Sequence, residues 1–456
     1  MRYLLTLPII LYTVGDTFKL SLAIGPGLSL KNAAVLLVGL MLVLRMTVRG
    51  GYRLELPTIH ICFAILIAYA VCSMLVAGLI IHYEDYQLAE SAITLKTTLI
   101  DQALILALFF YGTSTIKDGV FLTKVLLAAV TVANIICIAS IEGYLDIEGV
   151  SATPEEGGRV SGPFGHPNGT AALIAAVIPA YVAIARSSGG AWPLVWIAGS
   201  TSSVAMLFMT ASRGAFLAML IGYPWAAYTF RRYLSLRQIL LWTGASVVLG
   251  AVVLSLVGTH FVALFLQRVV TESTASDVSA LSSGRSDIWA RALEKMMTTP
   301  VTLFTGFGWN TYDSMALHYS VHNQYFNFWF ELGLVGLGSF VTLLLSTLFT
   351  VRSAVDGAGQ PSRGYLMAFV FGFVAFSISL FFGSMYQPWM YLWAYTGMSL
   401  RMALLVVKAD TAASASSLRG EERPRASPRN QNVIVGKSRV VKTPMGTSSE
   451  SSHRAR

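Results

Sequence analysis

The chain has 456 residues, of which 55% are hydrophobic and only 12% are charged, and its formal net charge is +9. A charged fraction this low excludes an ordinary soluble domain, in which about 25% of residues are charged. Much of the positive surplus lies in the tail after residue 407. The composition therefore gives little support to nucleic-acid binding and favours contact of the tail with anionic membrane lipid headgroups.

Apolar segments long enough to cross a membrane follow one another along most of the chain. A helix that crosses a hydrocarbon core of about 30 Å needs about 20 apolar residues. This length predicts about twelve spans, near residues 3–19, 28–46, 57–80, 95–113, 119–140, 168–186, 191–210, 213–230, 238–258, 323–350, 364–384 and 386–406. The predicted fold class is all-α, a polytopic bundle of transmembrane helices.

The charges of the connections predict the orientation of this bundle, because cytoplasmic loops carry an excess of Lys and Arg. With the N-terminus inside, the inner connections hold Arg45, Arg49, Arg53, Lys117, Lys124, Arg186, Arg231, Arg232, Arg237, Arg352 and Arg363. The outer connections then hold Glu84, Asp85, Glu142, Asp146, Glu148, Glu155 and Glu156. We therefore expect both termini to lie in the cytoplasm.

The same patterns divide the chain into four parts. These are an N-terminal membrane bundle (1–258), a large outer loop (259–322), C-terminal spans (323–406) and a disordered basic cytoplasmic tail (407–456). Within the outer loop, SGRSDIWARALEKMM has the spacing of an amphipathic helix, and Ser286 or Asp287 is its expected cap. Its apolar positions are Ile288, Trp289, Ala292, Leu293, Met296 and Met297.

Three arginines are candidates for phosphate binding. The stretch from Ala191 to Phe230 is too long for one crossing, so the turn TASRG, which holds Arg213, is predicted at the outer face. Arg213 there opposes the charge bias, and a guanidinium can hold a phosphate through two hydrogen bonds. The alternative is an interfacial arginine bonded to loop carbonyls. For Arg285, before the amphipathic helix, and Arg159, in GGRVSGPFGHPNG, the alternative is a solvated charge.

The segment FGHPNGTAAL predicts the start of a helix. Pro167 fits the first helical position, and His166 or Asn168 is the expected cap. The N-terminal end of a helix attracts anions, which makes Asn168 a candidate for substrate binding. A well-capped span start is the alternative.

The run HNQYFNFWFELGLVG places polar groups where the large outer loop meets a span. His322 is a candidate base, because a neutral imidazole with a pKa of about 6.5 accepts a hydroxyl proton at neutral pH. Asn323, Asn327 and Glu331 are spaced i, i+4, i+8 and form one polar stripe, a candidate for substrate binding. The alternative for the stripe is hydrogen bonding between helices.

Motifs for other chemistries are missing from the sequence. It contains no P-loop, HExxH or GxSxG motif, and Cys62, Cys72 and Cys137 all lie in apolar runs. We predict no metal site and no cofactor, so arginines are the groups expected to neutralise the charge of a bound anion.

The turn SRG, the loop motifs GRSDIW and GFGWNTY, and the run HNQYFNFWFELGLVG together resemble the O-antigen ligase and polymerase family over roughly residues 160–345. The resemblance implies a metal-independent, C-type-like membrane glycosyltransferase of the bacterial inner membrane. It implies transfer of a glycan from undecaprenyl diphosphate to an acceptor hydroxyl at the periplasmic face. By this resemblance, Arg213 and Arg285 stabilise the leaving lipid diphosphate, His322 accepts the hydroxyl proton, and the anomeric centre is inverted.

Several activities share these residues. The favoured one is polymerisation of O-antigen or exopolysaccharide repeat units; the others are ligation of glycan to lipid A–core and transfer to protein hydroxyls. The implied partners are a lipid-linked glycan donor, a glycan or lipid A–core acceptor and other polysaccharide assembly proteins. A transporter or flippase belongs to a different class, and it is disfavoured because transporters place ionisable residues near the membrane midplane.

Overall fold

The structure of the chain is a computed structural model. It describes residues 1–20, 23–25, 28–49, 57–146, 152–153, 158–235, 259–267, 284–315, 321–383 and 389–421, with isolated positions between 237 and 255. The chain divides into two compact units, Met1–Asp410 and Thr411–Arg456, and the second is described only as far as Glu421.

Helices α1 to α9 occupy the first half of the chain. They are α1 (Arg2–Thr17), α2 (Leu30–Arg49), α3 (Pro57–Val76), α4 (Leu88–Leu95), α5 (Asp101–Gly112), α6 (Ile116–Ile141), α7 (Pro167–Ser187), α8 (Trp192–Met209) and α9 (Arg213–Thr229). A π-helical turn, Ala77–Ile81, extends α3, and another, Lys96–Ile100, joins α4 to α5. α6 begins at a capping box, in which Thr115 and Asp118 each bond the backbone N–H of the other.

The remaining elements are α10 (Thr259–Leu266), α11 (Arg285–Thr298), α12 (Thr302–Thr305), α13 (Gln324–Gly357), α14 (Ser362–Ser379) and α15 (Trp389–Glu421). A short 3₁₀ helix (Asp313–Met315) and two short antiparallel ribbons complete the described structure. β1 (Ala23–Gly25) pairs with β2 (Leu28–Ser29), and β3 (Ala152–Thr153) pairs with β4 (Arg159–Val160). The predicted all-α fold class is confirmed.

Nine helical segments of the described chain are long and apolar enough to cross a membrane. Two further predicted spans correspond to α1 and α9, which have 16 and 17 residues. The predicted span at 238–258 lies almost wholly outside the described residues. The protein is therefore a polytopic membrane protein.

Some predicted boundaries differ from the structure. The span predicted at 95–113 begins at Leu88, and the one predicted at 323–350 forms α13, which has 34 residues. α15 continues to Glu421, past the predicted start of the tail at 407, and the rest of that tail lies outside the described residues. The predicted cap of the amphipathic helix was wrong: Ser286 and Asp287 lie inside α11, which is capped by Gly284 in a left-handed conformation.

α7 is central to the packing of the bundle. It packs against α8 and α14, and α14 also packs against α9 and α13. The crossing of α7 and α14 is close, because a Cβ added to Gly372 would overlap with the backbone of Ala176. Small residues allow such approaches between membrane helices. This packing fixes the relative positions of α7, α9 and α13. Five candidate residues lie in or directly before the first turns of these helices: Asn168, Arg213, His322, Asn323 and Asn327.

Candidate active site

Arg159 joins the start of α7 to the turn between α8 and α9. Its Nε donates to the carbonyl oxygen of Thr210 at 2.9 Å, and its Nη2 donates to Oδ1 of Asn168 at 2.8 Å. Oδ1 of Asn168 also accepts from the hydroxyl of Ser212 at 3.0 Å. Asn168 is buried and Arg159 is half-buried. Through these contacts, Arg159 and Asn168 hold the start of α7 against the turn between α8 and α9. The predicted substrate contact of each residue stays a prediction.

The cap of α7 is His166. Its Nδ1 accepts a hydrogen bond from the backbone N–H of Asn168 at 3.1 Å, and Pro167 occupies the first helical position. Of the two predicted caps, the structure therefore selects His166 and leaves the side chain of Asn168 for Arg159 and Ser212.

Arg213 is the first residue of α9 and is half-buried. The next residue, Gly214, lies against Phe382, because an added Cβ would overlap with that side chain. Phe382 follows Leu380 in the turn after α14, and the carbonyl oxygen of Leu380 accepts from the backbone N–H of Gln324 at 2.8 Å. This turn connects the start of α9 with the start of α13.

The amphipathic helix α11 packs against the segment before α13. Ala292 and Met296 are buried in a cluster that includes Val321 and Phe330, whereas the predicted apolar positions Leu293 and Met297 are exposed. The indole N–H of Trp289 donates to the carbonyl oxygen of Val321 at 2.8 Å. Arg285 lies one turn before Trp289 on the same helix face, which places it on the side of α11 that faces the start of α13.

His322 lies between these elements. Its backbone is left-handed, with φ of 49°, an uncommon conformation for a residue with a side chain. The next residue, Asn323, caps α13, because its Oδ1 accepts from the backbone N–H of Phe326 at 3.1 Å. The ring of His322 is half-buried. The structure therefore holds the predicted base in a strained turn at the head of α13.

The charges around His322 show which groups the fold brings together. Burial, followed by Arg285, His166 and Arg159, lowers the pKa of His322 to about 4. The pKa of His166 is also lowered to about 4, by burial and then by Arg159 and Arg285. Both imidazoles are therefore neutral at neutral pH. Two histidines from separate loops and two arginines form one electropositive cluster.

The polar stripe of α13 ends at a break in the helix. Gly333 has φ of 60° and ψ of −161°, and a Cβ there would overlap with the carbonyl oxygen of Phe304. At the break, the carbonyl oxygen of Phe330 accepts from Phe307 N–H at 3.0 Å. That of Glu331 accepts from Gly308 N–H at 2.9 Å. The loop motif GFGWNTY and the helix motif FELG are therefore one structural unit.

The stripe residues differ in environment. The side chain of Asn323 serves as the cap, the backbone N–H of Asn327 bonds the carbonyl oxygen of Asn323 at 2.9 Å, and Glu331 is 5% exposed. Their predicted substrate contacts stay predictions. Sequence reasoning missed the bond from Trp289 to Val321 and the proximity of His166 to His322. The glycines of GFG and ELG were the available signal for the close approach of their segments.

Among the residues that the structure describes, no group of three or more His, Cys, Asp or Glu side chains is arranged to hold a metal ion. The positive groups of the cluster are arginine side chains, whose planar guanidinium groups match the geometry of phosphate oxygens.

Comparison with known proteins gives a family match over part of the chain. Residues 197–341 match a family model described as O-antigen ligase, and no curated protein matches the chain. The matched region contains Arg213, Arg285 and His322, whereas Arg159 and His166 precede it. This match supports the O-antigen ligase and polymerase family as the family of the chain.

Proposed function

We propose that the protein is a glycosyltransferase of the bacterial inner membrane. It transfers a glycan from undecaprenyl diphosphate to an acceptor hydroxyl at the periplasmic face, and it polymerises O-antigen or exopolysaccharide repeat units. The observation that carries the proposal is the convergence of Arg159, Arg285 and His166 on the neutral imidazole of His322. The family match agrees with a membrane enzyme of the O-antigen ligase type.

The proposed reaction is a single displacement at the anomeric carbon. His322 accepts the proton of the acceptor hydroxyl as its oxygen attacks, and the bond from the anomeric carbon to the diphosphate oxygen breaks. Attack opposite the leaving group inverts the anomeric centre. Arg285 and Arg213 stabilise the negative charge that develops on the departing lipid diphosphate, and such pre-positioned donors contribute several kcal/mol to many reactions.

In this scheme, binding of the donor substrate increases the basicity of His322. In the free protein, two arginines help to lower the pKa of His322 to about 4, which makes it a weak base. A bound diphosphate offsets the charge of Arg159 and Arg285, so it raises the pKa of His322 towards its ordinary value. The proton acceptor is then strongest when the donor substrate is present.

The central test is an assay of the purified protein in lipid nanodiscs with a diphosphate-linked glycan donor. We expect His322→Ala and His322→Gln to lower the transfer rate by about 100-fold or more, which is the contribution of a general base. Arg291→Gln is the matched control, because Arg291 is exposed on α11. Wild-type transfer rates in both His322 variants would contradict the proposed role of His322 as the base. An intact donor bond after incubation with wild-type protein would instead indicate a transporter.

Ligation to lipid A–core is the second candidate, because the matched family model is described as O-antigen ligase. A deletion strain separates the two activities. Loss of a polymerase leaves single repeat units on the acceptor, whereas loss of a ligase leaves long polymer on the lipid carrier. Single repeat units on the acceptor in this strain would support polymerisation as the activity. Accumulation of long polymer on the lipid carrier would contradict polymerisation and support ligation.

A further inference from the structure

The hydrogen bond at the start of α7 fixes the protonation pattern of His166. Nδ1 accepts from the backbone N–H of Asn168 at 3.1 Å, so Nδ1 carries no proton. A neutral imidazole has one N–H group, and in His166 it must be at Nε2. Burial and two nearby arginines favour this neutral form. His166 is therefore a hydrogen-bond donor of fixed tautomer, with no free acceptor nitrogen.

The surroundings of His166 suit an anion. Arg159 is anchored to Asn168, two residues after His166, and Arg285 and His322 are close enough to interact with the imidazole electrostatically. The positive end of the α7 dipole lies at the same place. His166 as a residue is half-buried.

We propose that His166 is a further substrate-contacting residue, whose Nε2–H donates a hydrogen bond to an oxygen of the diphosphate in the donor substrate. This inference rests on the proposed function. A diphosphate fits better than a sugar hydroxyl, because its oxygens only accept hydrogen bonds and its charge is opposite to that of Arg159 and Arg285. His166 then holds the leaving group, while His322 takes the proton.

Two substitutions separate the donor role of His166 from its role as a cap. His166→Asn places Oδ1 near the position of Nδ1 and keeps a strong cap, but it has no group at the position of Nε2. His166→Gln places an amide N–H near the position of Nε2 and gives up the cap. Both variants are compared with wild type as full-length protein in nanodiscs, by thermal stability and by donor-dependent kinetics.

We expect His166→Asn to keep the wild-type Tm and to lose about tenfold or more in kcat/KM for the donor, the loss expected for one hydrogen bond to a charged group. We expect His166→Gln to have a lower Tm and to retain more of the donor kcat/KM. Undecaprenyl diphosphate alone is the binding probe, and it should raise the Tm of His166→Asn less than that of wild type.

The opposite pattern overturns the inference. If His166→Asn has the wild-type kcat/KM and the wild-type response to undecaprenyl diphosphate, while His166→Gln is impaired, the residue is a cap only. Equal loss of kcat/KM in both variants also overturns it, because the N–H near Nε2 then makes no difference. His322→Ala, assayed in parallel, reports on the proposed function separately: an active His322→Ala enzyme contradicts the mechanism whatever His166 does.

Discussion

Gly333 offers a sharp test of how the fold supports the site. Its φ of 60° and ψ of −161° belong to a region that essentially only glycine adopts. Replacement by alanine adds a Cβ that overlaps with the backbone oxygen of Phe304. Because the overlapping atoms belong to the backbone of Phe304 and Gly306, no side-chain rotation relieves the overlap, and the break in α13 must move.

The expected cost follows from two contributions. The strained conformation of alanine costs about 1–3 kcal/mol. Movement of the break also weakens the bonds from Phe307 N–H to the carbonyl oxygen of Phe330 and from Gly308 N–H to that of Glu331, each of which contributes about 1 kcal/mol. We expect Gly333→Ala to lower the free energy of unfolding by about 3–5 kcal/mol in total. The first turns of α13, which follow His322, would shift, so the transfer rate should fall as well.

Gly338 on the same helix is the matched control. A Cβ there meets no atom within 4 Å, and alanine in a helix interior is more stable than glycine by about 0.5–1 kcal/mol. Denaturant titration of the two variants in detergent micelles, together with the nanodisc assay, gives both readouts. A Gly333→Ala protein as stable and active as wild type would refute the interlock of the loop with α13.

Two further predictions concern the surroundings of the base. Trp289→Phe removes the indole donor to Val321, and we expect a several-fold lower kcat with little change in KM, measured by steady-state kinetics; an unchanged kcat would contradict the positioning role. The low pKa of His322 places the acid limb of kcat/KM at about pH 4. Arg285→Gln removes a charge that lowers this pKa, so the pH–rate profile should show the limb at higher pH. Arg291→Gln should leave both kcat and the limb unchanged, and an unmoved limb in Arg285→Gln would contradict the proximity of Arg285 to His322.

Hydropathy predicted most of the fold because the bilayer imposes a length on each helix. Helix bounds were predicted less well where local chemistry decides them. Gly284 caps α11 although Ser286 and Asp287 are the commoner cap types, because the chain enters the helix in a left-handed conformation. The break in α13 at Gly333 was not predicted, because the motif ELGLVG is apolar enough to continue a helix.

The candidate site was predictable in its residue types but not in its contacts. The positions of Arg213 and His322 stood out from charge and topology, whereas Arg285 became a candidate through the resemblance to the O-antigen ligase and polymerase family. Tertiary contacts, by contrast, depend on which turns meet, and the sequence contains no sign that Arg159 bonds Thr210. The role of His166 depends on which ring nitrogen accepts a backbone N–H, and only the structure shows that.

The positive charge around His322 also bears on the order in which substrates arrive. In the proposed reaction, a protein without donor has a weak base, because burial and the nearby arginines hold the pKa of His322 low, and an acceptor hydroxyl that enters early meets a poor proton acceptor. Arrival of the diphosphate both fills the anion site and strengthens the base. The cluster therefore favours an ordered sequence in which the lipid-linked donor binds first, and it keeps the base weak while no glycan is available for transfer.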